Sequence, residues 1–172
     1  MTTLGGAAVT LRTASGADVD ALVAIRSTAE VRARLDAEVG EDTAAAVTAA
    51  LADPELHVMV IELDGVVVGA VQWAEETDPM YRHANMDIYV DPAVHGRGVG
   101  TDAVRTLTRH LVRDRGHHRL VIDPAADNVA AIRCYAKVGF RPVGVLRQYE
   151  QGPDGTWHDG LLMDLLAGEL VR

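Results

Sequence analysis

The chain has 172 residues, 48 % hydrophobic but only 4 % aromatic, with a formal net charge of −9; this suits one domain over residues 1–172, with a core of Val, Leu, Ile and Ala. The acidic balance disfavours nucleic acid, which calls for a basic surface, and suits solubility or the attraction of small cations. No apolar run approaches the roughly 20 residues that span a bilayer, and the first nine residues lack the basic start and apolar stretch of a secretory leader, so a cytoplasmic protein without membrane contact is expected.

Residues 9–12 read as a first short strand. Ser15 followed by Asp18 resembles a capping box, with Asp in place of Glu, ahead of a helix over about 17–28. Residues 31–40 are polar and irregular. Asp42 or Thr43 caps an alanine-rich helix that ends near Ala52, before Pro54. The β-branched runs 56–63 and 66–74 are joined by Asp64-Gly65, a pair suited to a type I′ hairpin turn. After a polar loop over 75–83 comes a strand over 84–90, stopped by Asp91-Pro92. A helix-like run over 102–115 keeps Val104, Leu107, Leu111 and Val112 at helical spacing. A strand over 119–123 ends at Pro124. Asp127 or Asn128 caps a helix to about Val138, with Gly139 beyond its end. Strands over 140–149 and 157–165 flank the turn Gly152-Pro153-Asp154-Gly155. The order β, α, α, β, β, β, α, β, α, β, β predicts an α/β (α+β) fold: a mixed sheet with helices on both faces. Ligands of such sheets bind beyond the carboxyl ends of the parallel strands, which here fall at Val90 and Asp123.

Two segments sit at those ends. The first is His95-Gly96-Arg97-Gly98-Val99-Gly100-Thr101, between the strand Met86-Asp87-Ile88-Tyr89-Val90 and the long helix. Such a turn points backbone N–H groups at one spot, admits an anion closely and adds the helix N-terminal dipole, which makes a pyrophosphate cradle. The second, about one βα unit later, spaces Asn128, Ala131, Tyr135 and Gly139-Phe140 along one helix. The single cysteine, Cys134, forms no internal disulfide and reads as a buried structural thiol. The seven histidines show no metal-ligand spacing, so no metal is expected.

Together the two segments resemble the GCN5-related N-acetyltransferase (GNAT) superfamily, over nearly the whole chain from Leu11. His95 stands where that family's pyrophosphate motif has Gln or Arg. The resemblance implies a GNAT fold, a mostly antiparallel sheet with a central parallel pair, and acetyl-CoA as co-substrate. It implies cofactor contacts from Ile88, Tyr89 and Val90, from the turn His95 to Thr101 including Arg97, and from Asn128, Arg133 and Tyr135. Narrower segments, Trp73-Ala74-Glu75-Glu76-Thr77-Asp78-Pro79, Asp123-Pro124 and Ala131-Ile132-Arg133-Cys134-Tyr135, are similar to aminoglycoside 6′-N-acetyltransferases.

Acetylating an amine needs a proton acceptor, donors for the oxyanion and an acid for the leaving group. Strand alternation sets Asp87 and Tyr89 opposite Met86, Ile88 and Val90, and Asp123 closes the neighbouring strand. The resemblance implies that Asp87 and Asp123 receive the ammonium and that Tyr135 is the acid. Plainer readings stand beside these: a solvated Asp87, a strand-terminating Asp123, a packing Tyr135 and an N-capping Asn128. Trp73 reads as a sugar platform or as core. Glu75 and Glu150, with Glu76, Asp78, Asp154 and Asp159, add negative charge for a polycationic acceptor. The expected partner is a small cationic amine, foremost an aminoglycoside; other amines (protein N-terminus, lysine, polyamine, amino acid) or a non-catalytic acyl-CoA sensor are the alternatives. Either a monomer or a homodimer is compatible with the exposed edge of the last hairpin.

Overall fold

The computed structural model of the chain describes residues 1–35, 42–152 and 154–170. Its strands are β1 (Thr3–Gly5), β2 (Val9–Thr13), β3 (His57–Leu63), β4 (Val66–Glu76), β5 (His83–Val90), β6 (Arg119–Ile122), β7 (Arg141–Gln151) and β8 (Trp157–Leu166). The helices are α1 (Val19–Arg26), α2 (Ala29–Arg32), α3 (Thr43–Ala52), α4 (Val99–Arg113) and α5 (Val129–Val138). One sheet takes all eight strands in the order β1-β2-β3-β4-β5-β6-β8-β7. Every neighbouring pair is antiparallel except β5 and β6. The mixed sheet with a central parallel pair is therefore as the sequence predicts.

Helices cover both faces. On one, α4 buries Val99, Ala103, Val104, Leu107 and Leu111, and α5 adds Tyr135 and Val138, against Leu11, Ile61, Val71, Met86 and Leu120 of the sheet. On the other, Leu22 of α1 and Val47 of α3 pack on Val60 and Ala70. The alternation read along β5 holds, since Met86, Ile88 and Val90 belong to the first cluster and Tyr89 to the second.

The local signals explain most boundaries. Asp42 accepts from the N–H groups of Ala44 and Ala45 and starts α3. Asn128 accepts from Ala131 and starts α5. Asp18 reaches back to the Ser15 N–H at 2.8 Å, as a shortened capping box should. Four details differ from the sequence reading. A three-residue edge strand, β1, precedes the predicted first strand, and the short α2 lies at the start of the segment read as irregular. Strand β4 runs on to Glu76, and α4 starts at Val99, inside the glycine turn. The remainder of that irregular segment, residues 36–40, and Pro153 of the last turn lie outside the described residues.

Asp102, in the first turn of α4, is 6 % exposed and accepts from the N–H groups of Ala7, Ala8 and Val9 at 3.0, 2.7 and 3.0 Å. Burial works against its charge, but these three donors outweigh it and hold the carboxyl below its ordinary range. The β1–β2 connection is thereby tied to the end of α4 that carries the glycine turn.

Asp18 does the same for the opposite face. Arg12 of β2 grips it with two bonds of 2.8 and 2.9 Å and takes Glu62 of β3 with its Nε at 2.8 Å. The guanidinium holds the Asp18 carboxyl down to about 2. A carboxylate depressed in the folded state contributes stability that is complete above its unfolded value and lost as pH falls. Asp18→Asn should therefore cost about 2 kcal/mol at pH 7, and the gap from wild type should close between about pH 4 and pH 2. Urea unfolding across that range measures it.

Candidate active site

The site begins where two strands part. β5 and β6 pair only at Ala84↔Leu120 and Asn85↔Val121; β6 stops at Ile122, while β5 continues to Val90. The second half of β5 therefore has β4 on one side and a gap on the other. The Ile88 N–H donates to the Asp87 Oδ1 at 2.8 Å rather than to a strand, which marks it as a backbone donor on the gap side.

The N-terminus of α4 follows the end of β5 at the head of the gap. Pro92–Val94 forms a 3-10 turn, and the chain then enters α4 through Gly96 and Gly98, both at positive φ, 75° and 80°. At Gly96 and Gly98 a Cβ would meet nothing within 4 Å, so the backbone is open to an approaching group. The first helical bond of α4 runs from Asp102 N–H to Gly98 C=O at 3.0 Å; the N–H groups of Val99, Gly100 and Thr101 precede the ladder and point out of the helix end. This donor set fits a pyrophosphate. His95 turns back, its Nε2 3.0 Å from the Val90 carbonyl, so it braces the turn where the family motif has Gln or Arg. Arg97 and Arg133 are exposed. Helix α5 meets α4 through small groups: Thr101 Oγ1 lies 3.3 Å from Cys134 Sγ, and a Cβ on Gly100 would sit 3.8 Å from both that sulfur and Val90. Burial pushes the Cys134 thiol up, which suits the structural reading of this cysteine.

Tyr135, 5 % exposed on α5, faces the gap from the α4 side. Burial first, then the neighbouring groups Asp87, Cys134 and Asp123, push its hydroxyl well above the usual tyrosine range. Asp87 and Asp123 thus each lie within electrostatic reach of Tyr135. Tyr89 points to the other face, where Arg26 lies 5.7 Å from its ring centre; burial raises it to about 12. Asn128 spends its side-chain oxygen on the Ala131 N–H at 3.2 Å, so the capping reading of this residue holds.

Beside the gap lies a cavity of about 260 Å³ lined by Arg34, Ala125, Asp127, Glu150, Asp154 and His158, among others. Glu150 therefore borders an acidic recess next to the end of β6. Arg34 and Asp127 form an ion pair across part of its rim at 2.6 Å.

Two expected acceptor residues are elsewhere. Trp73 is 5 % exposed, stacked on His57 at 4.0 Å with Arg115 5.3 Å from its ring centre. Glu75 is held by Arg115 at 2.9 Å and His117 at 2.7 Å. Glu75 sits against Ala84, inside the stretch of β5 that β6 still covers, and Trp73 against Met86, the first position beyond it. Six residues of strand put Glu75 about 20 Å from the level of Val90. Trp73 is core, and Glu75 is part of a half-buried ion cluster. Among the described residues no group of His, Cys, Asp and Glu side chains is arranged to hold a metal, and no helix is long and apolar enough to cross a membrane.

Tyr149 of β7 is a site residue that the sequence reading missed: its hydroxyl donates to Asp123 Oδ2 at 2.6 Å. The sequence shows it only as the end of a strand, because its reach depends on β8 lying between β6 and β7.

A sheet splayed at its parallel pair, with a glycine-rich helix start at the mouth, makes a cleft suited to an extended ligand with an anionic group at one end. The profile of the acetyltransferase (GNAT) family matches residues 20–140. The chain is 37 % identical over 83 residues to a kanamycin resistance protein of Rhizobium radiobacter, covering 48 % of this chain and 72 % of that one. It is equally identical over 83 residues to the aminoglycoside N(6′)-acetyltransferase type 1 of Klebsiella pneumoniae, of which the match spans only 39 %. To the N-alpha-acetyltransferase RimI of Mycobacterium tuberculosis it is 34 % identical over 130 residues, 72 % of this chain and 79 % of that protein. The solved structure of Mycobacterium smegmatis RimJ with CoA-disulfide superposes with a TM-score of 0.87 at 26 % identity, over 99 % of this chain and 90 % of that one. The chain belongs to the GNAT family and is an N-acetyltransferase that uses acetyl-CoA.

The cradle generates a direct prediction. Gly98→Val puts a β-branched residue at φ 80°, a strained conformation, and plants a side chain in the open approach. Acetyl-CoA affinity measured by calorimetry should fall by at least about tenfold, the equivalent of a 1.4 kcal/mol loss. Unchanged affinity would remove the cradle assignment.

Proposed function

We propose that this N-acetyltransferase acts on a primary amine of a small polycation, with an aminoglycoside as the foremost candidate. The observation that carries the reading is the pair of carboxylates on the two strands that part, Asp87 on β5 and Asp123 just past the end of β6, both within electrostatic reach of the buried Tyr135. In this reading Asp87 and Asp123 receive the acceptor as an ammonium, because two carboxylates bind it far better than a neutral amine. One of them then takes the proton, directly or through water. The Ile88 N–H supplies a donor where negative charge develops on oxygen. When bound, acetyl-CoA supplies an activated acetyl group and a thiol leaving group. Tyr135 holds the proton that such a leaving group requires, and its raised pKa keeps that proton in place across the neutral and mildly alkaline range. The acidic recess with Glu150, Asp127 and Asp154 and the net charge of −9 favour a cation carrying several charges. The likeness to aminoglycoside acetyltransferases supports that class of acceptor.

A second reading, a peptide N-terminus as acceptor, is favoured by the match to RimI, which covers more of this chain than the aminoglycoside relatives do. Free-thiol release and mass spectrometry with kanamycin, a peptide with a free N-terminus, lysine and a polyamine decide between them. An acetyl group added to kanamycin supports the first reading; modification of the peptide alone replaces it with the second.

Tyr135→Phe keeps the ring and removes the proton. Turnover should fall about 10- to 1000-fold, the usual range for general acid–base catalysis, with little change in acetyl-CoA affinity. In the wild type, kcat should show no alkaline decline from Tyr135 below about pH 10, because deprotonation of this hydroxyl is displaced upward from the ordinary tyrosine value. Asp87→Asn and Asp123→Asn should each reduce turnover and spare acetyl-CoA binding. Binding of a multiply charged acceptor should weaken as salt screens the exposed carboxylates.

A further inference from the structure

The hydrogen bond from Tyr149 to Asp123 crosses an intervening strand. In the sheet order β6-β8-β7, two strand spacings, roughly 10 Å, separate β7 from β6. Tyrosine is the neutral side chain long enough to carry a donor over that distance. Three local features make the crossing possible. First, β7 bulges: Leu146 pairs with Gly160 and Glu150 with His158, so β7 advances four residues while β8 advances two. The extra residues turn the side chain of Tyr149 out of its regular place. Second, the bulge is pinned. Gln148 lies at φ 48°, a left-handed conformation uncommon for a side-chain-bearing residue, and its N–H donates to Asp159 Oδ1 at 2.8 Å. Third, the ring passes over Gly160, where a Cβ would come within 2.9 Å of Tyr149 Cδ1.

These features are not explained by packing. Tyr149 remains 49 % exposed, so little apolar burial rewards the bulge and the left-handed Gln148. The bond to the Asp123 carboxylate is 2.6 Å, a length typical of a hydroxyl donating to a charged acceptor. We propose that Tyr149 is a positioning residue for Asp123: it occupies Oδ2, fixes the plane of the carboxylate and leaves Oδ1 to face the acceptor amine. The inference rests on the reading of Asp123 given under Proposed function. It adds that the last hairpin, through Tyr149, sets the orientation of the group that receives the amine.

The test uses the full chain and the fastest-acetylated amine of the panel above (kanamycin, peptide, lysine or polyamine). Tyr149→Phe removes one oxygen and keeps the ring. It should lower kcat/KM for the amine by about 10- to 100-fold, as expected for a hydrogen bond to a charged group. KM for acetyl-CoA and the melting temperature should stay at the wild-type values. Gly160→Ala, which drives the ring off its seat, should lower kcat/KM for the amine in the same way and leave KM for acetyl-CoA unmoved. Tyr149→Phe combined with Asp123→Asn should be no slower than Asp123→Asn alone. Wild-type kcat/KM for the amine in Tyr149→Phe overturns the proposal, as do losses that simply add in the double variant. A slow Asp123→Asn beside a normal Tyr149→Phe sinks this inference alone; a normal Asp123→Asn sinks the reading of Asp123 beneath it.

Discussion

A strand that loses its partner while still inside a sheet must satisfy its backbone some other way. In this protein β5 leaves β6 after two paired positions and runs on to Val90. The N–H and C=O groups on that edge are obligatory hydrogen-bonding groups with no ladder to join. The Asp87 carboxylate on the Ile88 N–H is a local answer to that demand. An extended ligand lying in the gap is the general one, which is why the divergence serves as a binding site rather than a defect. The rest of the molecule holds the gap open. Asp102 clamps α4 to the β1–β2 connection, fixing the helix end that caps the gap, and the Thr101–Cys134 contact sets α5 beside it.

The charge arrangement follows from the same geometry. Two carboxylates at the mouth of a gap lined by a buried tyrosine make ionisation of that tyrosine costly, and burial adds to the cost. They also attract any cation small enough to enter. In the proposed reading one arrangement keeps a proton on one side of the reacting centre and gathers ammonium on the other. Divergent proton affinities in neighbouring groups are what acid–base assignments rest on.

The parts of the site visible in the sequence are those governed by local rules. A glycine turn between strand and helix, an Asn that caps a helix and alternation along β5 each depend on a few consecutive residues, and the structure agrees with all three. The start of α4 was misplaced by three residues because Gly98 enters the helix at positive φ, where pattern reading sees only turn. Trp73 and Glu75 were misjudged for a different reason. A ring for a sugar and a charge for a cation fix no position, and β4, antiparallel to β5, pairs Trp73 with Met86 and Glu75 with Ala84, away from Val90. Tyr149 escaped notice because its partner is two strands away and its aim is set by a bulge, and neither property has a signature in consecutive residues.

Donor and acceptor recognition thus rest on different materials. In the proposed reading the acetyl-CoA end draws chiefly on backbone: the helix-end N–H groups over 98–101 and the β5 edge. Such donors keep their chemistry under most substitutions, provided the glycines stay. In the same reading the acceptor end draws on side chains on loops and on the edge hairpin: Arg34, Asp127, Glu150, Asp154 and, through Asp123, Tyr149. There each substitution changes charge or shape directly. A fold divided in this way can hold its donor fixed while its acceptor changes, so the family identifies the reaction and leaves the amine to be read from the β7–β8 side of the gap.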